Sequence, residues 1–247
     1  MAKSITVVIP AFNEEANVAD AIHTVQEAFR GYSDDYEILV VNDGSRDRTG
    51  EITEAQAKKD PRVRVVHNEQ NSGHAYTLNR GYKSAAKEFV TVFPGDNEIS
   101  AMYLRTFLQE MGQADLIISY MVSMKNRPVY RRILSNSFVI VLNILFGLRL
   151  KCYNGATLYR TKDLRTLDIK SSHGMTILAE CLIRLIKSGA TYKEVPFDFI
   201  GRKGGCSRAL RFKNFIECFK VIGILMRDVY FLRKPRQMMP GVIPSDA

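Results

Sequence analysis

The first 120 residues alternate between two hydrophobic periods, and that alternation limits the fold more than any other feature of the chain. Short, β-branched runs read as strands buried on both faces: "ITVVI" (5–9), "EILVV" (37–41), "VRVV" (63–66), "FVTVF" (89–93) and "DLIIS" (115–119). Between them, segments at about 15–30, 47–59, 73–87 and 101–112 carry helical spacing. Strand, helix and strand in repetition imply crossover connections and a mostly parallel, Rossmann-like sheet with helices on both faces. The predicted fold class is α/β. In such sheets ligands bind outside the carboxyl ends of the strands. Polar segments follow three of those ends: "PAFNEE", "NDGSRD" and "PGDNE".

The character changes after about residue 120. A basic stretch, "NRPVYRRILS", leads into an apolar helix, "NSFVIVLNILFGL". "NGATLYR" (154–160) reads as a strand, 175–189 as a helix ended by Gly189, and "TYKEVPFDFI" (191–200) as a further strand. A glycine-rich basic loop, "RKGGCSR" (202–208), precedes an amphipathic helix over 211–236. Its apolar residues at 212, 215, 216, 219, 222, 226, 229 and 230 fall near a 3.6 period. The length of 247 residues suits one α/β domain with an appended segment. We place the domain at 1–210, with a division between its two halves at 120/121, and a loose tail at 237–247.

A net charge of +9, from 35 basic and 26 acidic residues, implies an anionic partner: nucleic acid, anionic lipid or a phosphorylated substrate. Nucleic acid is disfavoured, because the aromatic residues are not interleaved with basic ones as a stacking platform requires. The four cysteines are widely spaced, which suits reduced thiols in a cytoplasmic protein. The N-terminus lacks the pattern of a signal peptide, and the longest apolar run, 138–148, is shorter than the ~20 residues a bilayer demands. A peripheral protein at the cytoplasmic membrane face is expected, with self-association into a homo-oligomer left open.

Each polar segment admits a structural and a chemical reading. A strand–GxGxxG–helix is absent, which argues against a nicotinamide cofactor. "PAFNEEANV" can be a helix start capped by Asn13, and "NDGSRDRTGEI" a turn capped by Asp47. Lying at one sheet edge, the two can also grip a base and ribose. In "FPGDNEIS", Asn97 or Ser100 can cap a helix at 101, with the acids favouring its positive end. Alternatively Asp96 and Glu98, on the same side of an extended segment, offer two hard oxygen donors to Mg2+ or Mn2+.

The ordered set "VVIPAFNEEANV", "EILVVNDGSRDRTGEI", "NSGHAYTLNRGYKSA" and "FVTVFPGDNEIS" resembles family 2 glycosyltransferases of the GT-A fold. The later "RRILSNSFVIVLNILFGL", "NGATLYR" and "AECLIRLIKSGATYKEVPFDFIGRKGGCSR" look like its polyprenyl-phosphate branch, of the dolichyl-phosphate mannose synthase type. The resemblance implies an inverting transfer of a hexose from a GDP- or UDP-linked sugar to a polyprenyl phosphate. It implies a base and ribose pocket at Pro10, Ala11, Asn13, Glu15 and Asp43, and a divalent ion at Asp96 and Glu98. It implies an acceptor-phosphate pair at Arg131 and Ser135, a donor-diphosphate loop at Arg202 and Ser207, and a sugar region at Asn154, Gly155 and Glu180. Asp96, Arg131 and Arg202 would carry the catalysis. The sequence departs from the pattern at Pro94, where a first acid is expected, at "CYNG", where an Asp precedes the glycine, and at His74, where a lysine is expected. Two rival readings are a transferase acting on a soluble or glycan acceptor, with Glu180 as its base, and a non-catalytic nucleotide-sugar-binding protein.

Overall fold

The computed structural model describes residues 3–33, 35–97, 99–122, 129–172, 174–197 and 212–231. The strands are β1 (Ile5–Ala11), β2 (Tyr36–Asn42), β3 (Val63–His67), β4 (Phe89–Val92), β5 (Leu116–Met121), β6 (Thr157–Arg160) and β7 (Tyr192–Phe197). The helices are α1 (Val18–Phe29), α2 (Thr49–Lys59), α3 (His74–Ser84), α4 (Ala101–Glu110), α5 (Val129–Phe146), α6 (Thr161–Arg165), α7 (Gly174–Lys187) and α8 (Phe212–Tyr230).

All seven strands form one sheet in the order β3-β2-β1-β4-β6-β5-β7. β1 pairs in parallel with both β2 and β4, so the strand order reverses there. That reversal opens a crevice at the carboxyl ends of β1 and β4. Only β6 runs against its neighbours, antiparallel to β4 and to β5. The expected α/β class holds, with this one antiparallel strand in an otherwise parallel sheet.

The two-residue period of the strands sorts their side chains into two cores. Val7, Ile9, Ile38 and Val40 pack on one face with α1 and α4. Val8, Leu39 and Val41 pack on the other with α3, α5, α7 and α8. β1 and β2 are buried along almost their whole length, as their apolar runs predict. β3 is an edge strand and half-exposed, so only its first residue is fully buried. The observed strands β6 and β7 are shorter than their sequence signals: 154–156 are irregular backbone ahead of β6, and 198–200 lie outside the described residues. Helix α8 buries part of the stripe read off its period, since Ile222, Met226 and Val229 pack against the core. Val221 and Leu225 are its buried residues, whereas Phe219 and Tyr230 are exposed. No helix among the described residues is long and apolar enough to cross a membrane.

Candidate active site

The loops after β1 and β2 are laced together by reciprocal hydrogen bonds. The Asn13 N–H donates to Ser45 Oγ (3.0 Å), and its side-chain Oδ1 accepts from the Arg46 N–H (2.9 Å). The Glu14 N–H donates to Thr49 Oγ1 (2.8 Å) and the Glu15 N–H to Asp47 Oδ2 (3.1 Å). Glu15 Oε2 accepts from the Arg48 N–H (3.0 Å) in return. Asn13 adopts φ 55°, a left-handed conformation that Asn tolerates better than most residues. It does not cap α1, which starts after Asn17. Asp47 does act at a helix start, accepting from the Thr49 N–H (3.0 Å) and hydroxyl (2.5 Å). Desolvation works against its ionisation, but these bonds and that from Glu15 outweigh it and hold the carboxyl below its ordinary value.

The segment after β4 is brought against the end of β1 by a glycine. A Cβ on Gly95 would stand 2.6 Å from the Pro10 carbonyl oxygen, closer than real side chains come. Pro10 and Ala11, the last residues of β1, therefore lie beside Asp96. Ser100, immediately before α4, makes no side-chain capping bond. Asn97 is left-handed (φ 53°), and its Oδ1 is buried with no hydrogen-bond partner among the described residues. The capping reading of "FPGDNEIS" thus loses its two named caps.

Asp43 is buried, and its carboxylate is committed to the turn before α3. Oδ1 accepts from Asn68 Nδ2 (2.6 Å) and the Ser72 N–H (2.9 Å), and Oδ2 from the Gly73 N–H (2.9 Å). His74 is the first residue of α3. Desolvation there pushes its pKa down, while Asp43 and Asp96 pull it back up. The leading cause favours a neutral imidazole at a position where the resemblance led to the expectation of a lysine.

Residues 6–173 match the model of glycosyl transferase family 2. The chain belongs to that family. Among family relatives, the undecaprenyl-phosphate mannosyltransferase of Micrococcus luteus is 27% identical over 216 residues, covering 81% of this chain and 85% of the relative. The dolichol-phosphate mannosyltransferase of Pyrococcus furiosus is 27% identical over 242 residues, covering 90% of this chain and 64% of the relative. The chain spans only 32–37% of the length of two other glycosyltransferases it matches, from Bacillus subtilis and Streptococcus pneumoniae. The fold is the GT-A fold. A glucosyl-3-phosphoglycerate synthase of Mycobacterium tuberculosis, solved with Mn2+, UDP-glucose and phosphoglyceric acid, superposes with a TM-score of 0.69 at 18% identity. That alignment covers 90% of this chain and 80% of the synthase.

Within this family 2 fold, the loops carrying Pro10, Ala11, Asn13, Glu15, Asp43 and Asp96 converge on one sheet edge. Asn154 and Gly155 reach the same edge at the carboxyl end of β5, since Thr157 of β6 pairs with Ile118. Asn154 is exposed there, and Gly155 lies directly on the Ser119 backbone. Glu180 is placed differently. It is fully buried, and its oxygens accept from the Lys170 and Ser171 N–H groups (2.8–3.1 Å), the Ser171 hydroxyl (2.6 Å) and Arg184 Nε (2.8 Å). A carboxylate so committed anchors the chain before α7 and is not presented as a base. Ser135 is half-buried on α5, and Arg131 lies in its first turn. Glu98, Arg202 and Ser207 lie outside the described residues.

Among the described residues no three His, Cys, Asp or Glu side chains form a metal cage. The buried Asn97 oxygen beside Asp96 instead fits a hard cation that takes one or two protein oxygens and completes its shell from phosphate and water. The sequence reading missed Asn97 for this reason: its signal was absorbed into a capping role. It also missed Ser45, Thr49 and Ser72, whose bonds join separate loops and leave no local pattern.

Proposed function

We propose that this chain is an inverting glycosyltransferase that moves a hexose from a GDP- or UDP-linked sugar to a polyprenyl phosphate at the cytoplasmic membrane face. The observation that carries the acceptor is the outer surface of α5. Val129, Ile133 and Ile144 are 67%, 60% and 75% exposed, and Tyr130, Leu134 and Ile140 are exposed with them. This apolar stripe starts in the same turn as Arg131 and Arg132. A phosphate-binding fork beside an apolar strip suits a phosphate carried on a hydrocarbon chain. The names of the two mannosyltransferase relatives point to the same acceptor class. The buried, committed Glu180 supports it further, because a hydroxyl acceptor would need a free base.

The chemistry needs little from acid–base groups. A phosphate monoester carries most of its second charge at neutral pH. Its oxygen attacks the anomeric carbon as the bond to the nucleoside diphosphate breaks, with inversion. The protein's task is alignment and charge stabilisation. Pro10, Ala11, Asn13 and Glu15 line the nucleotide, with Asp43 fixing the turn beside it. Arg131 and Ser135 hold the acceptor phosphate, and Arg202 and Ser207 the donor diphosphate. Asn154 and Gly155 border the hexose. Asp96, Glu98 and Asn97 would hold Mg2+ or Mn2+, which when bound neutralises charge on the departing diphosphate.

The test is a donor panel with polyprenyl phosphate and either ion. Formation of a lipid-linked sugar with at least one donor is expected, with turnover lost in Asp96→Ala. Arg131→Ala is expected to lose transfer while donor binding persists. Binding of nucleotide sugar without any lipid-linked product would sink the acceptor assignment and favour a soluble acceptor or a binding protein.

A further inference from the structure

The chain between α5 and β6, residues 147–156, joins the acceptor-side helix to the sugar-side strand. One side chain closes it. Asn143, half-buried in the last turn of α5, donates from Nδ2 to the Leu150 carbonyl oxygen (2.9 Å). Its Oδ1 accepts from the Leu150 N–H (3.0 Å) and from the Tyr153 hydroxyl (2.8 Å). The amide thereby satisfies both backbone groups of one residue, as a neighbouring strand would, and holds a buried tyrosine as well. Only a side chain with a donor and an acceptor in fixed relation does this. Asp lacks the donor and Leu lacks both.

The loop is fixed at its other points too. The Tyr153 ring packs edge-on against Phe138, five residues before Asn143 on the same helix (6.3 Å between ring centres). The Lys151 N–H donates to Glu194 Oε1 of β7 (2.7 Å). Gly155 lies so close to Ser119 of β5 that a Cβ would overlap its carbonyl oxygen. Few residues between α5 and Asn154 remain unconstrained, so a displacement of the helix is passed to Asn154.

We infer that Asn143 is a positioning residue that couples the acceptor helix to the loop carrying Asn154, holding the acceptor phosphate in register with the donor hexose. The inference rests on the function proposed above. Displacement requires the incoming phosphate oxygen, the anomeric carbon and the departing oxygen to lie in line. The nucleotide is gripped by loops from β1, β2 and β4, whereas the acceptor is held from α5. Among the described residues, the Asn143 side chain bonds only Leu150 and Tyr153, outside the nucleotide loops. Its loss would let the acceptor drift relative to a donor that remains bound.

The full-length chain is tested as wild type, Asn143→Ala and Tyr153→Phe. Nucleoside diphosphate affinity, kcat and KM for polyprenyl phosphate, and the share of donor hydrolysed rather than transferred are measured. Asn143→Ala is expected to bind nucleotide within about twofold of wild type and to lose about tenfold to a hundredfold in kcat, as a displaced acceptor should. The hydrolysed share rises. Tyr153→Phe, which deletes one oxygen, moves the same way by less, and it carries the test if Asn143→Ala does not fold. An unchanged kcat and hydrolysed share in a folded variant overturns the inference. So does a fall in nucleotide affinity parallel to that in kcat. If wild type makes no lipid-linked sugar with any donor, the proposed function fails, and hydrogen exchange decides the coupling by itself. Faster exchange over 148–155, with 11–17 and 42–49 still protected, supports it; unchanged protection over 148–155 overturns it.

Discussion

Gly155 shows how a single residue can be visible in a sequence while its reason is not. It stands in a segment expected to border the sugar, but the constraint comes from Ser119, 36 positions earlier. A Cβ at Gly155 would overlap the Ser119 carbonyl oxygen and crowd its hydroxyl, and backbone cannot retreat as a flexible side chain can. Ser119 Oγ is itself fixed, donating to the Ala156 carbonyl (2.8 Å) and bonded to the Tyr103 hydroxyl (3.0 Å). Gly155→Ala is expected to cost about 3 kcal/mol or more, at the severe end of overpacking. Thermal denaturation checks this, and a variant that melts with wild type would refute the close approach. The same distance from local sequence hid the Asn13–Arg46 and Glu15–Arg48 bonds. Residue types at a strand end can be read as polar and ligand-facing. Which of them face the ligand and which hold a neighbouring loop depends on strand order, which one segment does not contain.

At the scale of elements, period alone was enough to place the buried strands but did not by itself decide which face of a helix is buried. The strands of the first half declared themselves because buried parallel strands are apolar throughout. In α8 the period marked part of the core face, Ile222, Met226 and Val229, but it also took in the exposed Phe219 and passed over the buried Val221 and Leu225. A polar link joins this apolar packing between α7 and α8. Arg184 of α7 donates to Glu180 through Nε (2.8 Å) and to Asp228 of α8 through Nη2 (2.9 Å). Arg184→Leu leaves the buried Glu180 carboxylate without its cation, for a cost of about 3 kcal/mol. Removing both charges, as Glu180→Met with Arg184→Leu, should recover part of that loss. The pH dependence has a definite sign. Burial disfavours the charged form of Asp228, but bonds from Arg227 and Arg184 win and hold its carboxyl below the ordinary value. A depressed folded value stabilises above the unfolded one and is lost as pH falls through it. The penalty of Arg184→Leu is therefore expected to shrink below about pH 4, the ordinary carboxylate range. Denaturant titrations at neutral and acid pH measure it, and a penalty independent of pH would show that Asp228 does not contribute.

For the whole molecule, a charge of +9 and an apolar strip on α5 would act on the proposed lipid partner in different ways. Charge draws the protein to an anionic surface over a distance of about 10 Å at 0.1 M salt, and is screened as salt rises. Apolar side chains act only after contact and are insensitive to that screening. The exposed basic residues Arg132, Arg149, Lys220 and Arg227 accompany the two helices that bear exposed apolar side chains. Tyr230 of α8 ties those helices together, stacking on Phe146 and donating to the Leu145 carbonyl (2.6 Å). Co-sedimentation with vesicles separates the two contributions. Wild type is expected to bind vesicles containing anionic lipid and to bind neutral ones weakly. Raising salt towards about 1 M should remove most of the difference between them. Ile140→Glu with Ile144→Glu should abolish binding to both, because each substitution places an acid on the strip proposed to enter the lipid. Neither side chain supports the core, so melting and nucleotide affinity should stay at wild-type values. Undiminished vesicle binding by that variant would remove α5 as the lipid-facing surface, and the acceptor would then have to approach the site from another side of the sheet edge.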